Sequence, residues 1–235
     1  MDTSERPPTR HDISASDTGT GVLTTATCYD SGTGDAVLVL AHGAGAGQAH
    51  AFMVGFAGAL AARGIDVVTF DFPYTHAGRK LPDRQPVLEA CFRRVLEWAA
   101  ARAVARGRTR AFIGGKSMGG RIATHLGARQ VPGIAGIVAL GYPLRPPGKT
   151  GNERAAHLAS ITVPLLIVQG TRDSFGSDGD VREAVAGITL QPTIVAVAGG
   201  DHSFAVRGRQ SADVLAEVAG RIVEWCSSVG EARSP

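Results

Sequence analysis

The sequence predicts an α/β fold in which a doubly wound, mostly parallel β-sheet carries helices on both faces. Short runs rich in Val, Ile and Leu recur along the chain, as expected for parallel strands that are buried on both faces. Segments with apolar residues at helical spacing separate these runs. Because a parallel crossover must return over the sheet, strand and helix alternate in this fold class.

Six apolar runs are predicted to be the parallel strands. They are AVLVLA (36–41), IDVVTF (65–70), TRAFIG (109–114), IAGIVAL (134–140), VPLLIVQG (163–170) and TIVAVAG (193–199). The earlier segment GVLTTATCYD predicts an antiparallel first strand. Two long helices, QAHAFMVGFAGALAARG and VLEACFRRVLEWAAARAVARG, are predicted to end at Gly64 and Gly107, because glycine adopts the left-handed cap conformation without strain.

We expect one domain over residues 13–228, with a flexible N-terminus (1–12) and a flexible tail (229–235). A length of 235 residues suits one large α/β domain. Both ends are polar, and chain ends of this composition are commonly poorly ordered. No repeat and no low-complexity block indicates a second domain.

Composition and charge exclude several classes of protein. A hydrophobic fraction of 44% with 19% charged residues is ordinary for a soluble globular protein. The net charge is +3 and the arginines are scattered, so we expect no nucleic-acid partner. No apolar stretch reaches the ~18 residues of a membrane span, so we expect no membrane association.

Cysteine usage and the start of the chain predict a cytoplasmic protein without a metal site. Cys28, Cys91 and Cys226 are odd in number and form no CxxC pair, so neither a zinc site nor a disulfide framework is indicated. The start MDTSERPPTRHD lacks the basic end and apolar run of a secretory signal. We expect no metal and no cofactor.

The pentapeptide Gly115-Lys116-Ser117-Met118-Gly119 has the pattern G-x-S-x-G. A predicted strand leads into it and a helical pattern leaves it, which is the setting of a nucleophile elbow. In an elbow the glycines allow a sharp turn that exposes the serine hydroxyl at the edge of the sheet. The alternative interpretation is a glycine-rich helix start in which Ser117 is the N-cap.

A reactive serine requires a base and an orienting acid, and the ends of two later strands supply candidates. Asp173 follows VPLLIVQG, and His202 follows TIVAVAGG. The carboxyl ends of parallel strands meet at one edge of the sheet, where ligands bind in such folds. Taken singly, Asp173 is also interpretable as a turn former and His202 as a loop residue. Their joint placement favours a Ser-His-Asp triad with Ser117.

Three other aspartates compete for the role of the acid. Asp178 and Asp180 lie farther from the end of the strand, and Asp201 is adjacent to the histidine in sequence rather than facing it. We therefore predict Asp173 as the acid.

The segment HGAGAG (42–47), which follows the first parallel strand, predicts half of an oxyanion hole. Acyl transfer generates an oxyanion, which backbone amides stabilise: one after the nucleophile and one in the loop after an early strand. These would be the amides of Met118 and Ala44, with His42 supporting the loop. A phosphate-binding loop is the other interpretation, but HGAGAG lacks the Lys-Ser/Thr pair of a P-loop.

Taken together, these motifs resemble the α/β-hydrolase superfamily from about residue 20 to 228. The segments AHGAGAG, FDFPYTHAGRKLPD, IGGKSMGGR, GYPLRPPGK, QGTRDSFG and DHSFAVRGR resemble its small dienelactone-hydrolase-like branch. That branch includes a testis-expressed mammalian protein and a subunit of the non-specific-lethal histone acetyltransferase complex. The resemblance implies the triad and the oxyanion hole given above, but no substrate. True dienelactone hydrolases have a cysteine at the elbow, so their lactone chemistry does not transfer to Ser117.

The linker 141–162 is too short for the helical cap of many lipases, so we expect no cap or a minimal one and an open, shallow site. Aromatic and apolar side chains are predicted to form its substrate-binding rim, with packing beneath the loops as the alternative. They are Phe72, Tyr74, Tyr142, Leu144, Phe175 and Phe204.

Four basic side chains near these motifs, Lys116, Arg79, Lys80 and Arg145, favour an anionic leaving group or partner if they face the site. Solvated surface charge is the alternative interpretation.

The leading hypothesis from the sequence is a serine hydrolase that cleaves a small ester or thioester through an acyl-enzyme. Its expected partner is a small-molecule ester. An acyltransferase or perhydrolase uses the same residues, so the sequence leaves these activities open. A catalytically silent binding module or complex subunit with the same fold is the alternative from another class.

Overall fold

The computed structural model describes residues 7–15 and 21–231, and within them the chain forms eight strands and six α-helices. The strands are β1 (Thr9–Ser14), β2 (Val22–Tyr29), β3 (Ala36–Ala41), β4 (Ile65–Phe70), β5 (Arg110–Lys116), β6 (Ile134–Leu140), β7 (Leu165–Gly170) and β8 (Thr193–Val197). The helices are α1 (Ala51–Ala61), α2 (Pro73–His76), α3 (Gln85–Ala105), α4 (Met118–Ala128), α5 (Asp178–Val185) and α6 (Ser211–Glu231). A 3₁₀ helix spans Glu153–Ser160.

The strands form one sheet in the order β1-β2-β4-β3-β5-β6-β7-β8. β1 pairs antiparallel with β2, and β2 pairs antiparallel with β4. All other neighbours are parallel. The predicted mostly parallel sheet with an antiparallel start is therefore confirmed.

Helices cover both faces of this sheet and bury it in two apolar layers. On one face α3, α4 and α5 pack against side chains such as Val39 and Ile137. On the other face α1 and α6 pack against side chains such as Leu38 and Val138. Neighbouring strand positions alternate between the layers, so β3, β4, β6 and β7 are buried along their whole length.

Local sequence signals account for the limits of the helices. The side chain of His50 accepts a hydrogen bond from the amide of Phe52 and so caps the start of α1. Gly64 and Gly107, which follow α1 and α3, have φ of 95° and 75°, as predicted for left-handed glycines. The strands that follow these two glycines, β4 and β5, pair with β3 on either side.

The first strand corrects the expectation of a flexible N-terminus over residues 1–12. Residues 9–12 form most of β1, which pairs with residues 25–28 of β2. β1 lies at the edge of the sheet and is largely exposed, so it carries no apolar run that sequence analysis would detect. At the other end α6 continues to Glu231, beyond the predicted boundary at 228. The rest of the two predicted flexible ends, 1–6 and 232–235, lies outside the described residues.

The connection between β6 and β7 contains the short 3₁₀ helix and no large cap domain, as predicted. The segments that follow the parallel strands lie at the carboxyl edge of the sheet.

None of the helices in the described part of the chain is long and apolar enough to span a membrane.

Candidate active site

Ser117 lies in the sharp turn between β5 and α4, at the carboxyl edge of the sheet. Its backbone has φ 51° and ψ −114°, a strained conformation for a residue other than glycine. A side-chain carbon on Gly119 would lie 2.5 Å from the carbonyl oxygen of Ala41, so the turn can form only with glycine there. The hydroxyl of Ser117 does not cap α4. This geometry favours the nucleophile elbow over the N-cap interpretation.

The loop after β8 brings His202 to this serine, although the two residues are 85 positions apart in the chain. The imidazole Nε2 lies 2.9 Å from the hydroxyl oxygen of Ser117, and Nδ1 lies 2.8 Å from Oδ2 of Asp173. A carboxylate accepts hydrogen bonds, so Nδ1–H donates to Asp173 and Nε2 is left free to accept the serine proton. The structure thus brings the three predicted side chains together.

The carboxyl group of Asp173 is buried and held by several donors. Its Oδ1 accepts the amide of Phe175 at 2.8 Å. Its Oδ2 accepts, besides the imidazole, the side-chain amide of Gln169 at 3.0 Å. These donors fix the direction of the carboxylate lone pairs, and so they fix the plane of the imidazole.

Gln169 is a supporting residue that the sequence analysis did not predict. It lies on β7, is fully buried, and also donates to the carbonyl oxygen of Gly176 at 2.6 Å. Its own side-chain oxygen accepts the amide of Tyr142 at 2.7 Å. It therefore ties the end of β6 to the loop of Asp173. The signal in the sequence is a lone polar residue inside the apolar run VPLLIVQG.

The competing aspartates have other partners. Asp180 completes the capping box of α5 by accepting the amide of the N-cap residue Ser177. It also forms an ion pair with Arg145 at 2.6 Å, and this hydrogen bond is the main cause that lowers the pKa of Asp180 to about 2. Asp178 lies 3.7 Å from Arg182. Asp201 accepts two amides of its own loop. Each therefore has a local structural partner, whereas the imidazole bonds to Asp173.

The loop after β3 lies against the elbow. A side-chain carbon on Gly43 would lie 3.5 Å from Cβ of Ser117. The next amide, of Ala44, has no hydrogen-bond acceptor within the described residues. Met118 is the first residue of α4, where backbone amides have no intrahelical partner. The amides of Ala44 and Met118, for which the described part of the chain offers no acceptor, are thus the candidates for the predicted oxyanion hole.

His42 supports this loop as a neutral imidazole. Its Nδ1–H donates to the carbonyl oxygen of Gly43 at 2.8 Å, and its Nε2 accepts the amide of Phe72 at 3.0 Å. Burial lowers the pKa of His42. The carboxylate of Asp71 lies 3.9 Å from Nε2, but the accepted amide requires the neutral ring, so we assign no ion pair. Asp71 instead holds the loop through the amide of Gln48 at 2.8 Å.

The predicted aromatic rim is corrected by the structure. Five of its members are at most 2% exposed and pack in the core beneath the loops: Phe72, Tyr74, Tyr142, Leu144 and Phe204. An aromatic ring on a short loop over the sheet buries more apolar area facing inward than facing solvent. Phe175 is half-buried, and its ring centroid lies 4.2 Å from that of His202. Phe175 is therefore the member that borders the triad.

The four basic side chains that the sequence analysis placed near the site differ in their partners and their burial. Arg79 and Arg145 form ion pairs with Asp83 and Asp180, at 2.7 and 2.6 Å. Lys80 is exposed to solvent. Lys116 is half-buried, and burial lowers its pKa to about 8. Two of the four cations that favoured an anionic leaving group or partner are thus paired with carboxylates, and the exposure of Lys80 agrees with the alternative of solvated surface charge.

Comparisons with known proteins agree with this architecture. A family model described as "Alpha/beta hydrolase domain" matches residues 34–227. The fold resembles an alpha-beta serine hydrolase homologue from Coxiella burnetii, with TM-score 0.67 and 20% identity over 86% of this chain and 91% of that chain. It also resembles dienelactone hydrolase from Anabaena variabilis, with TM-score 0.71 and 18% identity over 93% and 96%. An α/β serine hydrolase without a lid from Xanthomonas campestris matches with TM-score 0.70 and 18% identity over 100% and 99%.

At these identities the solved structures are alike in fold, whereas the family model matches most of the chain directly. Strand order, elbow and the absence of a large cap all agree with that match. The chain belongs to the α/β-hydrolase family.

Proposed function

We propose that this protein is a serine hydrolase that cleaves small esters or thioesters through an acyl-enzyme, with Ser117, His202 and Asp173 as its triad. The single observation that carries the proposal is the continuous chain of two hydrogen bonds, 2.9 Å and 2.8 Å long, from the serine through the imidazole to the carboxylate. A serine hydroxyl without such a base is a poor nucleophile.

In the proposed reaction His202 Nε2 takes the hydroxyl proton as the serine oxygen attacks the acyl carbon. The imidazolium then gives that proton to the leaving alcohol or thiol when the bond to the acyl carbon breaks. Water attacks the acyl-enzyme by the same route and releases the acid. Asp173 keeps Nδ1 protonated, so that Nε2 can accept. No metal or cofactor takes part, so exhaustive EDTA treatment is expected to leave turnover unchanged.

The tetrahedral intermediate carries a negative charge on the former carbonyl oxygen. We assign its stabilisation to the amides of Ala44 and Met118, which are free of other acceptors in the described part of the chain. Fixed amides do not have to reorient as the charge develops, and each such donor contributes about 2.7–4 kcal/mol to catalysis in known cases.

The substrate is proposed to be small because the short loop between β6 and β7 leaves the site without deep apolar walls. An anionic leaving group has little support, since Arg79 and Arg145 are already paired with carboxylates. We further place the chain in the small dienelactone-hydrolase-like branch with the testis-expressed protein and the non-specific-lethal complex subunit. The motifs of the sequence support this assignment.

We propose that the protein acts in the cytoplasm, without nucleic-acid or membrane partners. All three cysteines, Cys28, Cys91 and Cys226, are free and buried, which suits a reducing compartment. The scattered arginines and the modest net charge of +3 support the absence of a nucleic-acid partner.

A fluorophosphonate probe tests the proposed function. The purified protein should be labelled covalently, and Ser117→Ala should abolish both labelling and turnover of p-nitrophenyl acetate. Ser227→Ala is the control, because it removes an exposed serine hydroxyl on α6 and should leave both labelling and turnover unchanged. Absence of labelling in the wild-type protein would instead favour the silent binding module.

A further inference from the structure

Lys116 is a half-buried cation directly before the nucleophile. It is the last residue of β5, and its backbone enters the elbow. Burial is the main cause that lowers its pKa to about 8, although the carboxylates of Asp173 and Asp201 act in the opposite direction. The salt bridges of the described residues include none to this ammonium group, so these two carboxylates act on it from beyond ion-pair distance. Burying an ammonium group costs free energy, and ionisable groups with shifted pKa values cluster at functional sites.

The ammonium group of Lys116 lies over two aromatic rings. Its Nζ is 5.7 Å from the ring centroid of Phe204 and 5.9 Å from that of Phe52. The two ring centroids are 6.0 Å apart. A lysine ammonium within about 6 Å of an aromatic face is attracted by the ring quadrupole, more strongly when it is desolvated. The cation therefore joins α1 to the loop after β8.

Phe204 holds the loop of the base in a strained conformation. Its φ is 63°, in the left-handed region, and its side chain is 1% exposed. That conformation is unfavourable for a residue with a side chain. The loop is tightened further by the amide of Phe204, which donates to the carbonyl oxygen of Asp201 at 3.0 Å. His202 lies between these two residues, so the anchoring of Phe204 sets the position of the imidazole.

Gly141 shows how close the cation lies to the imidazole. A side-chain carbon on this glycine would lie 2.9 Å from Nζ of Lys116 and 3.4 Å from Nδ1 of His202. Gly141 has φ 61° and follows β6 directly. Cation and imidazole thus pack against the same glycine.

Building on the proposed hydrolase function, we propose that Lys116 and Phe204 form a cation–π contact that positions the loop of His202 for catalysis. The ammonium group repels a developing imidazolium, so the contribution is one of position rather than of charge stabilisation. Lys116 is in this sense a positioning residue that acts through Phe204.

Protonation of Lys116 gives the proposal a pH signature. The ammonium is charged below about pH 8 and loses its charge as the pH rises through that value. The charged groups that act on it are the carboxylates of Asp173 and Asp201, with the imidazole of His202 beside them. The cation–π contact weakens with deprotonation, so the loop is held less firmly above about pH 8.

Two substitutions of the lysine separate charge from packing. Lys116→Met keeps most of the length of the side chain and removes its charge. We expect kcat to fall about 10- to 100-fold and KM to change less than about twofold, because the substitution misplaces the imidazole and not the substrate. Lys116→Arg keeps a cation at every accessible pH. It should retain most of kcat and lack the loss of activity above about pH 8 that the wild-type protein shows. Lys149→Met, an exposed lysine, is the control that should change neither quantity.

A double-mutant cycle tests whether the lysine acts through the ring. Phe204→Leu should lower kcat to a similar extent. The kcat of the double variant with Lys116→Met should be no lower than that of the less active single variant, because both substitutions remove the same contact. Multiplication of the two losses, or a Lys116→Met enzyme with the kcat and the pH profile of the wild type, would overturn the proposal.

A proton NMR measurement keeps this test independent of turnover. The Nδ1 proton of His202, which is bonded to Asp173, should give a low-field resonance that broadens in Lys116→Met and in Phe204→Leu, because the loop opens more often. An unchanged resonance in both variants contradicts the positioning role even if the wild-type protein is not labelled by the fluorophosphonate. Absence of that labelling contradicts the proposed hydrolase function separately.

Discussion

The amino and carboxyl edges of the sheet, where its parallel strands begin and end, differ in how their buried charged side chains are partnered. At the amino edge, Asp66 accepts hydrogen bonds from Arg108 at 2.9 and 3.2 Å and from the backbone and side chain of Ser31 at 2.8 and 2.7 Å. Its neighbour Asp30 pairs with Arg102 at 3.1 Å and with Arg106 at 3.3 Å. The buried carboxylate at this edge is fully partnered.

The carboxyl edge instead retains features that cost stability. Ser117 and Phe204 have left-handed backbone conformations, and Lys116 carries a half-buried charge without an ion-pair partner in the described residues. Strain of this kind clusters where the geometry is needed for chemistry. The comparison teaches that the amino edge stabilises the fold, whereas the carboxyl edge is shaped for the site.

The largest expected effect concerns the acid at the carboxyl edge. Asp173→Asn should lower kcat by about four orders of magnitude with the fold intact, because an amide at this position favours the wrong imidazole tautomer. Steady-state kinetics with p-nitrophenyl acetate and far-UV circular dichroism measure the two quantities. Asp178→Asn is the matched control and should change kcat little. The reverse pattern would assign the acid to Asp178.

At the amino edge the expected effect is on stability alone. Asp66→Ala should lower the free energy of unfolding by about 3–5 kcal/mol, because it leaves Arg108 largely buried without its partner. The rate of fluorophosphonate labelling should stay the same. Denaturant unfolding measures the stability, and the kinetics of fluorophosphonate labelling measure the reactivity of the site. A labelling rate that falls together with stability would show that the two edges are coupled.

The pH dependence of Asp66 sharpens this prediction. Burial raises the pKa of its carboxyl group, but hydrogen bonds from Arg108 and Ser31 outweigh burial and hold the pKa below its usual value. The resulting stability is present above the unfolded pKa of about 3.9 and is lost as the pH falls through the folded value. The wild-type protein should lose this contribution in acid, and Asp66→Ala should have none to lose.

The lack of a large cap domain in the described residues predicts how activity depends on acyl-chain length. A buried methylene contributes about 0.8 kcal/mol, or roughly fourfold in kcat/KM for each carbon. Without a cap domain, methylenes beyond butyrate should stay in water, so kcat/KM for p-nitrophenyl octanoate should lie within about twofold of that for the butyrate. A maximum at octanoate or longer esters would mean that loops close over the site.

The smallest expected effect is a gain in stability at the carboxyl edge. The folded pKa of Lys116, about 8, lies below the unfolded value of about 10.4, so the unfolded state binds more protons between these values. The buried charge therefore lowers stability below about pH 8, and this cost disappears as the pH rises towards 10.4. Lys116→Met should raise Tm at pH 7 by about 2–4 °C, equivalent to ~1 kcal/mol. A lower Tm would show that the ammonium stabilises the fold.

The sequence by itself predicted the central sheet and the three side chains that the structure brings together as the candidate triad. β3, β4 and β6 begin and end at the predicted residues, because strands buried on both faces must be apolar throughout. Asp173 and His202 were detectable because parallel strands end at one edge, so residues that follow different strands meet there.

The tertiary structure alone decided the features that depend on partners distant in the chain. β1 is a strand because β2 pairs with it, and Gln169 supports the acid because the end of β6 lies beside it. The rings of Phe72 and Phe204 are buried because loops fold over the core, not because of their neighbours in sequence. Burial and pairing are properties of non-local contacts, whereas periodicity and turn chemistry are local, and a single sequence displays the local part.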